Sequence, residues 1–370
     1  MGELYRSLWD WKNPTYNQAM LLEGIFPPVT TPFYPDGRLY LRKLEHNIER
    51  YSRTPVAGLV LLGSTGEAVM LSDEESRTVL RVARESAAAE KVLLAGVARE
   101  SLVETLRLAE FAAEQQYDAV LVRTPHYYGP QMERIEILTY YRALADRSPL
   151  PVVLYSIPKF THYDLPVDMI AELAQHPNII GLKDSSGSTE RITKIVAATR
   201  DAARREIMVT QTFTAFTSRM MLAMTPPENF VSAETLGGIA AIAVAPPLPK
   251  VKVTRKKEVG FQVLNGSAHG LLDALQTGAS GGVLALAACA PQACQEIYTA
   301  WKDNDPKLAR EKQQRVIEAS LLVGGKLGIP GIKHACDLNG YYGGRPRIPL
   351  LPLDAERQAE VARVMADLRN

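Results

Sequence analysis

The chain has 370 residues, 46% of them hydrophobic and 22% charged, with a formal net charge of +1. That is ample material for a large core, and it suits either two average domains or one barrel of roughly 250 residues or more. The near-neutral balance excludes the strong field that draws a protein to nucleic acid or an anionic membrane, so neither is expected as a partner.

Cys289, Cys294 and Cys336 form neither a CxxC nor a paired framework, and the six histidines show no HxxxH spacing. No disulfide and no metal site are therefore expected, which fits a reducing compartment. The first twenty residues lack an apolar h-region, Glu3 and Asp10 argue against a transit peptide, and no apolar run reaches bilayer length. The cytoplasm is the expected location, with the mitochondrial matrix as the alternative.

After an N-terminal extension over residues 1–23, short apolar, β-branched runs alternate with helical patterns. Strands are expected at Gly24–Thr31 (GIFPPVTT) and Gly58–Gly63 (GLVLLG), followed by a helix over Ser72–Ala89. Ser72 caps that helix and Glu75 stands three residues on, the spacing of a capping box. Next come strand Lys91–Val97, helix Ser101–Gln116, strand Ala119–Thr124 and helix Gln131–Arg147. Strand Pro151–Ile157, helix Leu165–His176, strand Ile179–Ser185 and helix Thr189–Arg200 continue the rhythm, and strands Phe261–Ser267 and Gly281–Leu286 complete it.

The strands are continuously apolar rather than alternating, so both faces are expected to be covered, as in a parallel sheet wrapped by helices. Eight of them predict an α/β fold, a closed (β/α)8 TIM barrel over residues 24–290. No GxGxxG follows the first strand, which counts against a dinucleotide fold. Helical patterns from Pro291 to Lys326 and from Asp354 to Leu368 predict a C-terminal helical extension over 291–370.

The rhythm breaks once. About 55 residues, Ala203–Lys257, stand between the sixth helix and the seventh strand, where such connections ordinarily take only a few. This insert is expected on the N-terminal face of the barrel, opposite its chemistry, as a surface excursion or partner contact. Its closing basic run, Lys250–Lys257 (KVKVTRKK), reads as a solvated strand or linker.

Four strand ends carry candidate chemistry. The sixth ends in Gly181–Leu182–Lys183–Asp184–Ser185, which sets a lysine at the mouth of the barrel. Burial disfavours a lysine's charged form, and a neutral amine attacks a ketone to give an iminium. The bland alternative is a structural lysine paired with Asp184. The fifth strand ends in Tyr155–Ser156–Ile157–Pro158, where a tyrosine can move protons, although a core aromatic is the commoner role.

The second strand ends in Gly63–Ser64–Thr65–Gly66–Glu67, a turn whose N–H groups and hydroxyls can cup a carboxylate. The fourth leads into Thr124–Pro125–His126–Tyr127–Tyr128–Gly129, a second source of phenols. Ser185, at the end of the sixth strand, and Gly266 and Ser267, at the end of the seventh, are further candidates for the binding wall. A lysine, a tyrosine and a carboxylate cradle together describe a site for a 2-oxo acid.

The motifs PPVTTPF, GSTGE, TPHYYG, LYSIP and GLKDSSG occur in that order, and they resemble the dihydrodipicolinate synthase / N-acetylneuraminate lyase family of pyruvate-dependent class I aldolases. The resemblance runs from about Gly24 to Leu353, interrupted only by the insert. It implies Lys183 as the Schiff-base lysine, Tyr155 as the proton-relay tyrosine, and Ser64 and Thr65 as ligands of the pyruvyl carboxylate. It implies Tyr127 as a relay member acting across a tight dimer interface, a homotetramer built as a dimer of dimers, and no cofactor beyond the covalent Schiff base.

The synthases of this family follow their equivalent of LYSIP with Ser-Arg, the arginine holding the aldehyde partner's carboxylate. Lys159 and Phe160 stand there in this chain. Residues Leu327–Pro352 (LGIPGIKHACDLNGYYGGRPRIPLLP) and Tyr163–Val167 (YDLPV) look like the 4-hydroxy-2-oxoglutarate aldolase branch. The expected activity is thus cleavage of a 4-hydroxy-2-oxo acid, with 4-hydroxy-tetrahydrodipicolinate synthesis and 2-keto-3-deoxy sugar acid cleavage or dehydration as alternatives. A non-catalytic sensor barrel is the alternative from another class, and the intact lysine, tyrosine and Ser-Thr turn argue against it.

Overall fold

Buried runs of four to six residues build the parallel sheet of the computed structural model, which describes residues 21–202, 204–214 and 250–368. The strands in chain order are β1 (Gly24–Ile25), β2 (Gly58–Leu61), β3 (Val92–Gly96), β4 (Ala119–Arg123), β5 (Val152–Ser156) and β6 (Ile179–Asp184), then β7 (Arg205–Thr214), β8 (Lys250–Val259), β9 (Gln262–Asn265) and β10 (Gly281–Gly282). Eight form one sheet in the order β1-β10-β9-β6-β5-β4-β3-β2. A parallel bridge between Pro28 and Val60 joins its ends. There Val29 N–H donates to the Val60 carbonyl at 2.9 Å and Val60 N–H to that of Pro27 at 3.0 Å. The barrel closes.

The ladder of β1 stops at Ile25, short of the expected Thr31, because Pro27 and Pro28 bring no N–H to it. The strand expected at Gly281–Leu286 likewise ends at Gly282, and Ala285–Ala288 turns into a 3-10 helix.

Both faces of the sheet are buried. Val60, Leu94, Leu121 and Val153 pack in the barrel interior, while Leu59, Leu61, Val120 and Val122 pack outward among the helices. Fully burying each such side chain contributes about 1.5–3 kcal/mol. The expected helices are present at Asp73–Ser86, Leu102–Glu114, Arg134–Arg147, Val167–Leu173 and Thr189–Ala198, and a further one stands between β1 and β2 in the chain at Leu41–Ser52. Ser72 and Glu75 form the capping box, Glu75 N–H to Ser72 Oγ at 3.1 Å and Ser72 N–H to Glu75 Oε2 at 2.9 Å.

Beyond β10 the chain is helical at Pro291–Lys302, Pro306–Ala319, Gly328–Leu338 and Ala355–Met365. Residues Ser320–Lys326 between the second and third of these form a π-helical segment. Among the described residues no helix is long and apolar enough to cross a membrane.

The described residues separate into two compact units, one formed by the chain up to Arg205 and from Gly260 onward, the other by Glu206–Val259. In the first, the Arg205 guanidinium donates to the carbonyls of His176, Pro177 and Ile179, at the start of β6. In the second, β7 and β8 form a two-stranded sheet, and Lys256 Nζ lies 2.8 Å from a Glu206 carboxylate oxygen. Residues 1–20 of the expected extension, and 203 and 215–249 of the expected insert, lie outside the described residues.

Candidate active site

The bend that aims Lys183 is made in β6. Val152 pairs with Ile179, but Val153 pairs with Gly181, so the register shifts at Ile180. Ile180 packs in the interior cluster and Leu182 in the outer one. Only glycine fits at 181, where a Cβ would stand 2.4 Å from the Gln262 carbonyl oxygen. Beyond the shift Lys183 pairs with Tyr155. Its Nζ lies 4.0 Å from the centre of the Tyr155 ring, and only 5% of the residue is exposed.

Asp184, next along β6, does not neutralise this amine. Its fully buried carboxylate accepts from Arg191 Nε at 2.8 Å and from the Ser186 N–H at 3.0 Å. The structural pairing of Lys183 with Asp184 is therefore absent, and no carboxylate of the described residues forms an ion pair with Lys183.

An open cavity of about 190 Å3 sits at the carboxyl ends of the strands. Lys183, Tyr155, Ser64, Thr65, Ser185, Gly266 and Ser267 all line it. Ser64 Oγ is 3.4 Å from the Tyr155 hydroxyl. Gly266 brings the end of β9 against β6, donating its N–H to the Asp184 carbonyl at 2.7 Å, and a Cβ on it would stand 2.1 Å from Ser185 Oγ. The Asn265 side chain brackets the next turn, with Ser267 N–H donating to Oδ1 at 3.2 Å and Nδ2 to the Ser267 carbonyl at 2.7 Å.

Two candidates stand apart from the cavity. Gly66 is in the same 3-10 turn as Ser64 and Thr65, but its N–H donates to the Gly63 carbonyl and its own carbonyl accepts from Thr31 Oγ1 at 2.6 Å. Tyr127 is 75% exposed, its ring edge-on to Tyr128, and it does not reach the cavity of its own chain. Its loop is held by Glu100, which accepts the N–H groups of His126 and Tyr127 at 2.8 and 2.9 Å and pairs with Arg123 at 3.0 Å. Burial pushes the Glu100 carboxyl up, but these donors outweigh it and hold it below the usual range.

Further wall residues come from the C-terminal region, expected only as a helical extension. The C-terminal helices cover the cavity through Ser320, Leu321, Gly324 and Gly325 of the π-helical segment and Gly328, Ile329 and Ile332 of the next helix. A π-helical segment inside a helical run frequently marks a functional site. Lys159, on the short helix Pro158–Thr161, donates from Nζ to the Gly325 carbonyl at 2.8 Å.

Deeper still, Lys333 Nζ lies 2.6 Å from Glu67 Oε1 with both side chains 1% exposed. Burial lowers the lysine's proton affinity and Glu67 opposes it. Glu67 was visible as the end of GSTGE and Lys333 within LGIPGIKHACDL, but nothing in either stretch connects them.

A closed (β/α)8 barrel with a buried lysine at its carboxyl mouth is an arrangement shared by class I aldolases, and those of the dihydrodipicolinate synthetase family hold their substrate as a lysine Schiff base and need no metal or organic cofactor. The chain belongs to the dihydrodipicolinate synthetase family, whose model matches residues 21–204 and 233–368. It is 27% identical over 348 residues to the 4-hydroxy-tetrahydrodipicolinate synthase of Methanothrix thermoacetophila, covering 94% of this chain and 97% of that protein. It is 29% identical over 344 residues to the L-threo-3-deoxy-hexylosonate aldolase of Hypocrea jecorina, covering 91% and 93%. Among solved structures, it matches YagE, a prophage protein of the dihydrodipicolinic acid synthase family from E. coli K12 in complex with pyruvate, with a TM-score of 0.74 at 24% identity over 94% of this chain and 99% of that one. It is a carbon–carbon lyase, and a small oxo acid substrate is consistent with its family.

Proposed function

We propose that Lys183 is the Schiff-base lysine and that the enzyme cleaves 4-hydroxy-2-oxoglutarate to pyruvate and glyoxylate. The observation that carries this reading is the amine of Lys183 lying 4.0 Å over the Tyr155 ring, in the same cavity wall as Ser64 and Thr65. The Lys183 amine attacks C2 of the oxo acid, and Tyr155, with Ser64 beside its hydroxyl, moves the protons as the carbinolamine loses water. A base then removes the C4 hydroxyl proton and the C3–C4 bond breaks, its electrons passing into the iminium. Glyoxylate leaves and an enamine remains. Protonation at C3 and attack by water at C2 release pyruvate and restore the amine.

Ser64 and Thr65 hold the C1 carboxylate, with Gly66 as their supporting turn, and Ser185, Gly266 and Ser267 form the facing wall. Phe160 stands where the synthases carry arginine, which favours cleavage over dihydrodipicolinate synthesis. Lys159 at the rim offers a cation to the substrate's second carboxylate. A second reading, cleavage of a 3-deoxy-2-oxo sugar acid, is favoured by the likeness to the hexylosonate aldolase.

Tyr127 completes the relay in a partner's site, within a homotetramer built from two tight dimers. Support comes from the exposure of Val69, Tyr127 and Tyr128 on the turns after β2 and β4. The cytoplasm is the proposed compartment, supported by three buried, unpaired cysteines.

An aldol-cleavage assay on 4-hydroxy-2-oxoglutarate, run beside 3-deoxy-2-oxo sugar acids, tests the reading. Pyruvate release fastest from the former, and none from Lys183→Ala, is expected. Faster release from a sugar acid would replace the first reading by the second.

A further inference from the structure

The geometry points to the buried Glu67–Lys333 ion pair as the positioning device for the Ser64–Thr65 turn, so that a residue of the C-terminal helical region sets the affinity of the barrel for its 2-oxo acid. This rests on the Schiff-base reading above and adds to it residues that touch no substrate.

The turn is unusual at both ends. Leu62, before it, has φ 56°, and Glu67, after it, has φ 56° and ψ 31°. Both are non-glycine residues in the left-handed region, which persist only where their surroundings over-determine them. At Glu67 the surroundings are explicit. Oε1 lies 2.6 Å from Lys333 Nζ, and Oε2 accepts the Arg347 N–H at 2.8 Å.

Lys333 in turn donates to the carbonyls of Thr31 and Arg345, each at 2.9 Å, and lies over the Phe33 ring at 4.5 Å. Thr31 closes the cage, its hydroxyl donating to the Gly66 carbonyl at 2.6 Å. Gly66 and Glu67 are thus both tied to Thr31, one directly and one through Lys333. The helix that carries Lys333 also lines the cavity through Gly328, Ile329 and Ile332. One rigid element therefore holds both the roof of the cavity and the turn at its side.

A buried ion pair is a poor way to gain stability, because a well-packed apolar pair of the same volume often does as well. What it does supply is a unique position. Moving the turn displaces Ser64, which lies 3.4 Å from the Tyr155 hydroxyl, and Thr65 with it. Misplacement on the scale of an ångström costs on the order of tenfold to a hundredfold in binding or rate.

The test is borohydride trapping of pyruvate across a concentration series, on the full chain, with Glu67→Gln, Lys333→Met and the double variant. Leu44→Ala, a core change in the outer helical layer, supplies a control for loss of stability alone. Glu67→Gln is expected to raise the pyruvate concentration for half-maximal trapping at least tenfold while the saturating yield on Lys183 is kept, with the control unchanged. Lys333→Met does the same or fails to fold, and Glu67→Gln, isosteric and neutral, decides the matter in either case. A Glu67→Gln variant that loses melting temperature but keeps the wild-type half-saturation overturns this inference alone. No trapping by the wild type overturns the Schiff-base reading and this one together.

Discussion

At the scale of single residues the chemistry turns on what surrounds one amine. Lys183 is buried, its neighbour Asp184 is committed to Arg191, and its amine lies over the ring of Tyr155, whose hydroxyl is 3.4 Å from that of Ser64. No ion pair with a carboxylate of the described residues ties up the Lys183 amine, which leaves it to meet the substrate carbonyl. Lys183→Arg should therefore be inert as well as Lys183→Ala, since a guanidinium stays protonated and forms no imine. Tyr155→Phe should lower turnover by roughly a hundredfold to ten-thousandfold, the range for removing a positioned proton carrier, while trapping of pyruvate slows but persists. Lys159→Met should weaken binding of a dicarboxylic oxo acid and leave half-saturation by pyruvate unchanged. Equal loss for both substrates would contradict its assignment to the distal carboxylate.

At the scale of elements, close approach of strands and a charged clamp hold the site together. At Gly266 an added methyl group meets Ser185 Oγ and the Asp184 carbonyl, both nearer than any relaxed contact. Gly266→Ala should cost about 1–3 kcal/mol, the usual range for overpacking, and raise the KM by displacing Ser185. The capping box is clamped from outside, since the Arg347 guanidinium donates to both oxygens of Glu75 at 2.6 and 2.8 Å. That hydrogen bonding is the main reason the Glu75 carboxyl sits below its ordinary value of 4.5, against the opposing effect of partial burial. A carboxylate lowered in the folded state contributes stability that is present above the unfolded value and lost as pH falls through the folded one. Melting temperature should accordingly drop below about pH 4.5, and Glu75→Gln should show a shallower acid slope in the same scan. A parallel slope would place the acid sensitivity elsewhere.

These elements also mark how far sequence reasoning reaches. The strands were legible because burial on both faces leaves continuous apolar runs, and Lys183 and Tyr155 because they end two such runs. The shift at Ile180 that aims Lys183 was not, since two isoleucines in a row give no sign of which one is extra. The link from Lys333 to Thr31 crosses 302 positions, and no periodicity records a contact of that range. Gly66 was expected in the wall because a Gly-Ser-Thr-Gly turn offers its N–H groups, but the 3-10 geometry takes that of Gly66 for Gly63.

At the scale of the whole molecule, the dihydrodipicolinate synthetase barrel is completed by its C-terminal helices, which supply the cavity roof and Lys333. Tyr127 is exposed and lines no cavity of its own chain, so the role proposed for it needs a partner subunit. Sedimentation should give a mass near four times 40.7 kDa, and Tyr127→Phe should lower turnover without changing that mass. The compact unit Glu206–Val259 leaves the barrel after Arg205 and rejoins it before β9, so replacing it with a short linker should preserve a folded, pyruvate-trapping protein. The most direct measurement of all is the site of covalent attachment. Wild-type protein reduced with borohydride in the presence of pyruvate and mapped by peptide mass spectrometry should carry one pyruvyl adduct, on Lys183. An adduct on any other lysine, or none at saturating pyruvate, would contradict the reading.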